Sequence, residues 1–98
     1  RLLQIEAITN ITQKDKRPII IAGDFNAEEN SEVIKILDQH FERTCKQCRP
    51  TIPVVNPKKA IDFIATKPSE SFKLKQHEVI NETYASDHLP VVAILEVK

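Results

Sequence analysis

The run Ile19-Ile20-Ile21-Ala22-Gly23 constrains the fold more than any other stretch of the chain. It shows no alternation of apolar and polar residues and is rich in β-branched side chains, so it reads as a strand buried on both faces. Such a strand needs cover above and below. Helices supply part of it: Leu3, Ala7, Ile8 and Ile11 recur at helical spacing and predict an amphipathic helix over residues 1–13. A charged turn, Lys14-Asp15-Lys16-Arg17, then leads to Pro18, which closes that helix. A second helix is predicted over residues 31–39, capped by Asn30 or Ser31 and turning Val33, Ile34 and Leu37 to the core.

A proline-bearing loop is expected from Phe41 to Lys59. Beyond it, residues 60–65 predict a strand, Phe72, Leu74 and Val79-Ile80 belong to another, and residues 90–97 form a last, nearly all-apolar strand. With 98 residues the chain is one domain at most, of α/β or α+β class. It carries 14 basic against 14 acidic residues, so no basic surface advertises nucleic acid or an acidic membrane. No apolar run approaches the roughly 20 residues of a membrane span. The first residues mix Arg1, Gln4, Glu6 and Asn10 into apolar positions, unlike a signal peptide. The chain has no Met and opens on Arg1 within a predicted helix, so it is expected to be a piece of a longer protein. Cys45 and Cys48 are read as a structural or incidental pair, with a disulfide and half of a metal site as the alternatives.

Three clusters place polar or charged groups in or beside these strands. In Gly23-Asp24-Phe25-Asn26, the carboxylate and the amide are two residues apart and would project to one side of an extended backbone. In Ile61-Asp62-Phe63-Ile64, a carboxylate sits among strand apolars, which is costly unless it is paired; an exposed strand face is the alternative. Ser86-Asp87-His88-Leu89-Pro90 immediately precedes the last strand, and by itself an Asp-His pair is an ordinary solvated turn. Taken in order, GDFN, IDFI and SDHLPV resemble the C-terminal half of the DNase-I-like endonuclease/exonuclease/phosphatase family. Thr51-Ile52-Pro53 resembles the T-x-P loop that precedes the second of these motifs.

The resemblance implies half of a four-layer α/β/β/α sandwich: one mostly antiparallel sheet with two outer helices. It also implies divalent-metal-dependent hydrolysis of a phosphoester by in-line attack of water. Asp24 then activates water or helps to hold the metal, Asn26 donates its amide to phosphate, and Asp87 is a metal ligand. His88 contacts the scissile phosphate, with Asp62 as its orienting partner. The oxygen-rich set of Asp24, Asn26 and Asp87 favours Mg²⁺, or Mn²⁺ in its place, over Zn²⁺. The substrate is a nucleic acid, an inositol phosphate or a phospholipid head group. The N-terminal half of the domain, with its metal-binding Glu, is the missing partner, so the fragment alone is expected to be inactive. The competing class is a catalytically silent family member acting as a binding module; the intact Asp24, Asn26, Asp62, Asp87 and His88 argue against it. His40 is expected to close the second helix, and His77 to be a solvated strand position. Tyr84 either lines the site or packs.

Overall fold

In the computed structural model, which describes residues 2–98, helix α1 (Leu2–Gln13) leads into strand β1 (Ile19–Asp24) and helix α2 (Glu32–His40). A two-residue strand, β2 (Glu42–Arg43), follows, then β3 (Asp62–Lys67), a 3-10 turn (Ser69–Ser71), β4 (Phe72–Val79) and β5 (Val91–Val97). The architecture is mixed α/β, with antiparallel strands and two helices. The strands are arranged as two sheets: β1-β3-β2, with β3 central, and the β4-β5 pair. β3 and β5 lie against each other without sharing a ladder.

Helix α2 begins where its cap dictates. The Ser31 hydroxyl accepts a hydrogen bond from the Ile34 N–H, satisfying one of the free donors of the first turn. At the other end the Phe41 N–H returns to the Leu37 carbonyl at 2.8 Å. Val33, Ile34 and Leu37 are buried as the spacing predicts, and they meet Ile5, Phe41, Phe63 and Ala65 in one core. Truncating a fully buried residue such as Leu37 to alanine in this setting costs about 2–5 kcal/mol.

Helix α1 departs from the expected face. Its buried residues are Ile5 and Thr9, whereas Leu3 and Ile11 are 82% and 75% exposed. Threonine is tolerated on the inner side because its hydroxyl stays bonded within the helix. Thr9 donates to the Glu6 carbonyl and Thr12 to the Ile8 carbonyl, each at 2.9 Å.

Strand β1 is also not buried on both faces. Ile19 and Ile21 turn toward the helices and pack on the core, while Ile20 is 53% exposed and Ala22 is open. An unbroken apolar run carries no sign of which face is covered. Here the helices cover one face only, and the other carries the strand-end polar groups. The loop from Phe41 to Lys59 is more ordered than expected. Glu42 and Arg43 pair with Thr66 and Ala65, and Ile52 bridges to Lys59. Cys45 and Cys48 form a disulfide, with Cα atoms 5.3 Å apart. His77 is not a solvated position: it is half-buried, and its Nδ1 lies 2.7 Å from the Thr44 hydroxyl. Tyr84 is 95% exposed and neither packs nor lines a cluster.

Candidate active site

The pairing of β1 with β3 builds the site. Their antiparallel register sets Asp24 directly opposite Asp62 and Ala22 opposite Ile64. Residues opposite one another across an antiparallel pair share a face. Phe63 and Ala65 are in the core on the helix side, so Asp62 and Asp24 stand on the other side. The alternation that buries Phe63 is thus the reason that both carboxylates project from the uncovered face.

Gly23 and Asn26 shape the end of β1. Gly23 has φ of +148°, a conformation that favours glycine, and a side chain there would be strained although space is free around it. After Asp24 the chain turns. Asn26 takes φ of +51°, and its backbone N–H donates to Asp24 Oδ1 at 2.7 Å. Strand alternation therefore stops at Asp24 and does not set the direction of Asn26. The described contact of Asn26 with Asp24 is made by its backbone; the residue itself is exposed.

The third motif is pinned by its neighbours. Leu89 is buried, and its N–H donates to the Thr51 carbonyl at 2.7 Å. The Ser86 hydroxyl accepts from the His88 N–H at 3.1 Å. These contacts carry His88 over the two carboxylates. Its Nδ1 is 2.8 Å from Asp62 Oδ2; since a carboxylate only accepts, the proton of this bond sits on Nδ1. Nε2 lies 3.7 Å from Asp24 Oδ2 and 3.9 Å from Asp87 Oδ1, both beyond hydrogen-bond reach. Asp62 is mostly buried, with 16% of its side chain exposed, whereas the Asp87 side chain is 88% exposed at the rim.

The electrostatics follow from that geometry. The hydrogen bond that His88 donates to Asp62 raises the His88 pKa above 6.5, and the charges of Asp62, Asp24 and Asp87 act in the same direction; desolvation opposes them. The ring thus retains its proton to higher pH than an ordinary histidine. As an imidazolium it uses Nδ1–H on Asp62 and keeps Nε2–H free toward Asp24 and solvent.

Asp24, Asp62 and His88 each present a ligand atom within 4.8 Å of the other two. The structure therefore joins one residue from each of the three sequence clusters. Asp87 borders this group, and Asn26 lies beside it on the turn. An open cavity of about 380 Å³, lined by Gly23, Asp62, Ser86, His88 and Pro90 among others, adjoins them. One contact was not foreseen from the residues: Thr51 donates its hydroxyl to Asp62 Oδ2 at 2.6 Å. The signal for it was the T-x-P stretch, which identified the loop but not what the threonine touches.

No protein-family model matches the chain, and no curated protein matches it in sequence. Solved structures do match. A conserved protein of unknown function from Enterococcus faecalis V583 aligns over 99% of this chain and 44% of its own, with TM-score 0.84 and 23% identity. An endonuclease/exonuclease/phosphatase from Bacteroides vulgatus aligns over 99% of this chain and 42% of its own, with TM-score 0.74 and 25% identity. A mannosyl-6-phosphatase from Bacteroides thetaiotaomicron VPI-5482 aligns over 96% of this chain and 43% of its own, with TM-score 0.71 and 22% identity. The chain thus spans less than half the length of the structures it matches. The chain therefore has the fold of part of an endonuclease/exonuclease/phosphatase domain, aligning with 42–44% of each of these chains.

Proposed function

We propose that the protein is a divalent-metal-dependent phosphoester hydrolase, and that this chain is the C-terminal half of its catalytic domain. The observation that carries the reading is the convergence of Asp24, Asp62 and His88 at the ends of strands from three separated motifs. Three carboxylates gathered around one imidazole are unfavourable as a purely structural feature, because their mutual repulsion is answered by only one cation. They become favourable where a cation and a phosphoryl group complete the charge balance.

The donor set fits a hard cation. Asp62 Oδ2 and His88 Nδ1 are committed to each other, which leaves Asp24 and Asp87 to offer carboxylate oxygens toward solvent. One or two exposed carboxylates suit Mg²⁺, or Mn²⁺, which keep several waters, better than a closed tetrahedral zinc site. When bound there, the ion supplies Lewis-acid polarisation of a phosphoryl oxygen. On this reading Asp24 takes the proton of an attacking water. His88 presents Nε2–H to a non-bridging phosphate oxygen, where negative charge builds up in the transition state. Asn26, exposed at the turn after β1, offers its amide to the same phosphate. Asp62 accepts from Nδ1–H and so holds the imidazolium oriented with its Nε2–H available.

The even balance of 14 basic and 14 acidic residues favours a small phosphoester over duplex DNA, whose binding usually leaves a basic surface. That one similar structure is a mannosyl-6-phosphatase supports the same preference. The test uses the full-length protein with p-nitrophenyl phosphate and bis-p-nitrophenyl phosphate, with Mg²⁺ and then with EDTA. Hydrolysis of either ester that EDTA stops and Mg²⁺ restores is the expected result. Absence of turnover on both esters, in protein shown to be folded, would count against the reading. The 98-residue chain alone is expected to give no more than trace turnover, since on this reading it holds less than half of the catalytic domain.

A further inference from the structure

Thr51 is among the most enclosed side chains described here, at 1% exposure, yet its polar atom faces the site and not the core. Its backbone is held on two sides. Its N–H donates to the Lys59 carbonyl at 2.7 Å, and its own carbonyl accepts from the Leu89 N–H, also at 2.7 Å. Leu89 is the immediate neighbour of His88, and Lys59 lies just before β3, which begins at Asp62. One residue thus ties together the two segments that carry the Asp62–His88 pair.

The hydroxyl then has a choice of acceptors. The Lys59 carbonyl is 3.4 Å from Oγ1, whereas Asp62 Oδ2 is 2.6 Å away. The Ile61 N–H also donates to Oγ1, at 3.4 Å, so an oxygen lone pair accepts there while the single hydroxyl proton goes to the nearer carboxylate. Oδ2 is also the oxygen that receives the His88 Nδ1–H, at 2.8 Å. A carboxylate with one partner can rotate about its terminal torsion, which is broad and roughly two-fold. With two donors converging on one oxygen, that rotation is stopped.

We propose that Thr51 is a positioning residue: its hydroxyl locks the Asp62 carboxylate so that Asp62 in turn fixes the ring of His88. The proposal rests on the hydrolase reading for its kinetic consequence but not for its geometry. A loss of alignment of the order of 1 Å at a reacting group can lower rate about a hundredfold. Valine matches threonine in shape and lacks the donor, so Thr51→Val isolates the hydrogen bond. Serine keeps the donor.

The experiment uses the full-length protein and two readouts. In the first, Thr51→Val is expected to lower kcat about 10–100-fold with KM nearly unchanged, and Thr51→Ser to retain most of the turnover. In a His88→Ala background, Thr51→Val is expected to have no further effect, because the group it positions is gone. An equal loss from Thr51→Val in both backgrounds would overturn the proposal, as would serine failing to restore the rate. The second readout needs no activity: the His88 Nδ1 proton resonance is expected to be slow-exchanging in wild type and Thr51→Ser, and broadened in Thr51→Val. Were the wild type to hydrolyse no phosphoester, the hydrolase reading would fall while this resonance still decides the role of Thr51. A resonance unchanged in Thr51→Val would reject it. If Thr51→Val does not fold, Thr51→Ala provides the same comparison with a smaller side chain.

Discussion

Two charged clusters adjoin strand β3, and they are built on opposite plans. In the first, Arg43 places Nε 2.8 Å from Asp38 and Nη1 2.6 Å from Glu29, while its guanidinium lies over the Phe63 ring at 5.5 Å. Both carboxylates are at hydrogen-bond distance, and only 9% of the arginine side chain is exposed. In the second, His88 engages Asp62 at 2.8 Å but stands 3.7 Å and 3.9 Å from Asp24 and Asp87. His88 lines an open cavity, and the Asp24 and Asp87 carboxylates, 38% and 88% exposed, are left open to solvent. The first cluster is saturated by its own members and joins α2, β2 and the disulfide loop. The second keeps unmet capacity for charge and hydrogen bonds, which a binding or catalytic centre needs and a structural one avoids.

Substitutions in the two clusters should therefore fail in different ways. The largest effect is expected from His88→Ala in the full-length protein: kcat for a phosphoester should fall about a hundred- to a thousandfold, with little change in unfolding temperature. A comparable loss of stability would mean that His88 is a structural member like Arg43. Next in size, Arg43→Met leaves Glu29 and Asp38 without their cation and should cost about 1–2 kcal/mol in denaturant unfolding, given partial exposure of the acids. Turnover per folded molecule should be kept. Were Arg43→Met to stay folded and lose activity, the division between the clusters would collapse.

Smaller effects lie outside both. Ser31→Ala removes the cap of α2 and should lower stability by about 1 kcal/mol, read by thermal unfolding. Burial lowers the pKa of His77 below 6.5, so the folded state prefers the neutral ring. The corresponding stability is complete above the unfolded value and is lost as pH falls through the folded one. Urea midpoints measured from neutral to mildly acid pH should fall less steeply in His77→Gln than in wild type. Equal slopes would show that the ring carries no such penalty.

Much of this could be read before the fold was known, and the exceptions have physical causes. α2 was legible because a cap, an acidic first turn and an apolar face agree over a few residues. β1, β3 and β5 were legible from β-branched runs, and the three motifs at their ends come together around Asp24, Asp62 and His88. The covered face of β1 was not legible, because Ile20 and Ile21 are the same residue type on opposite sides of the sheet. The face of α1 was misread because its inner positions include threonines that satisfy their hydroxyls locally. β2 is too short to show a period. Thr51 and His77 depend on partners 11 and 33 residues away, which no local pattern encodes.

The most direct test of the account is phosphoester turnover by the full-length protein carrying Asp24→Asn, measured beside wild type with Mg²⁺ and with the unfolding temperature of each. Asparagine keeps the shape of the side chain and an acceptor for the Asn26 N–H, but not the charge. The account predicts a loss of about a thousandfold in kcat at an unchanged unfolding temperature. Wild-type turnover in a folded Asp24→Asn protein would contradict it.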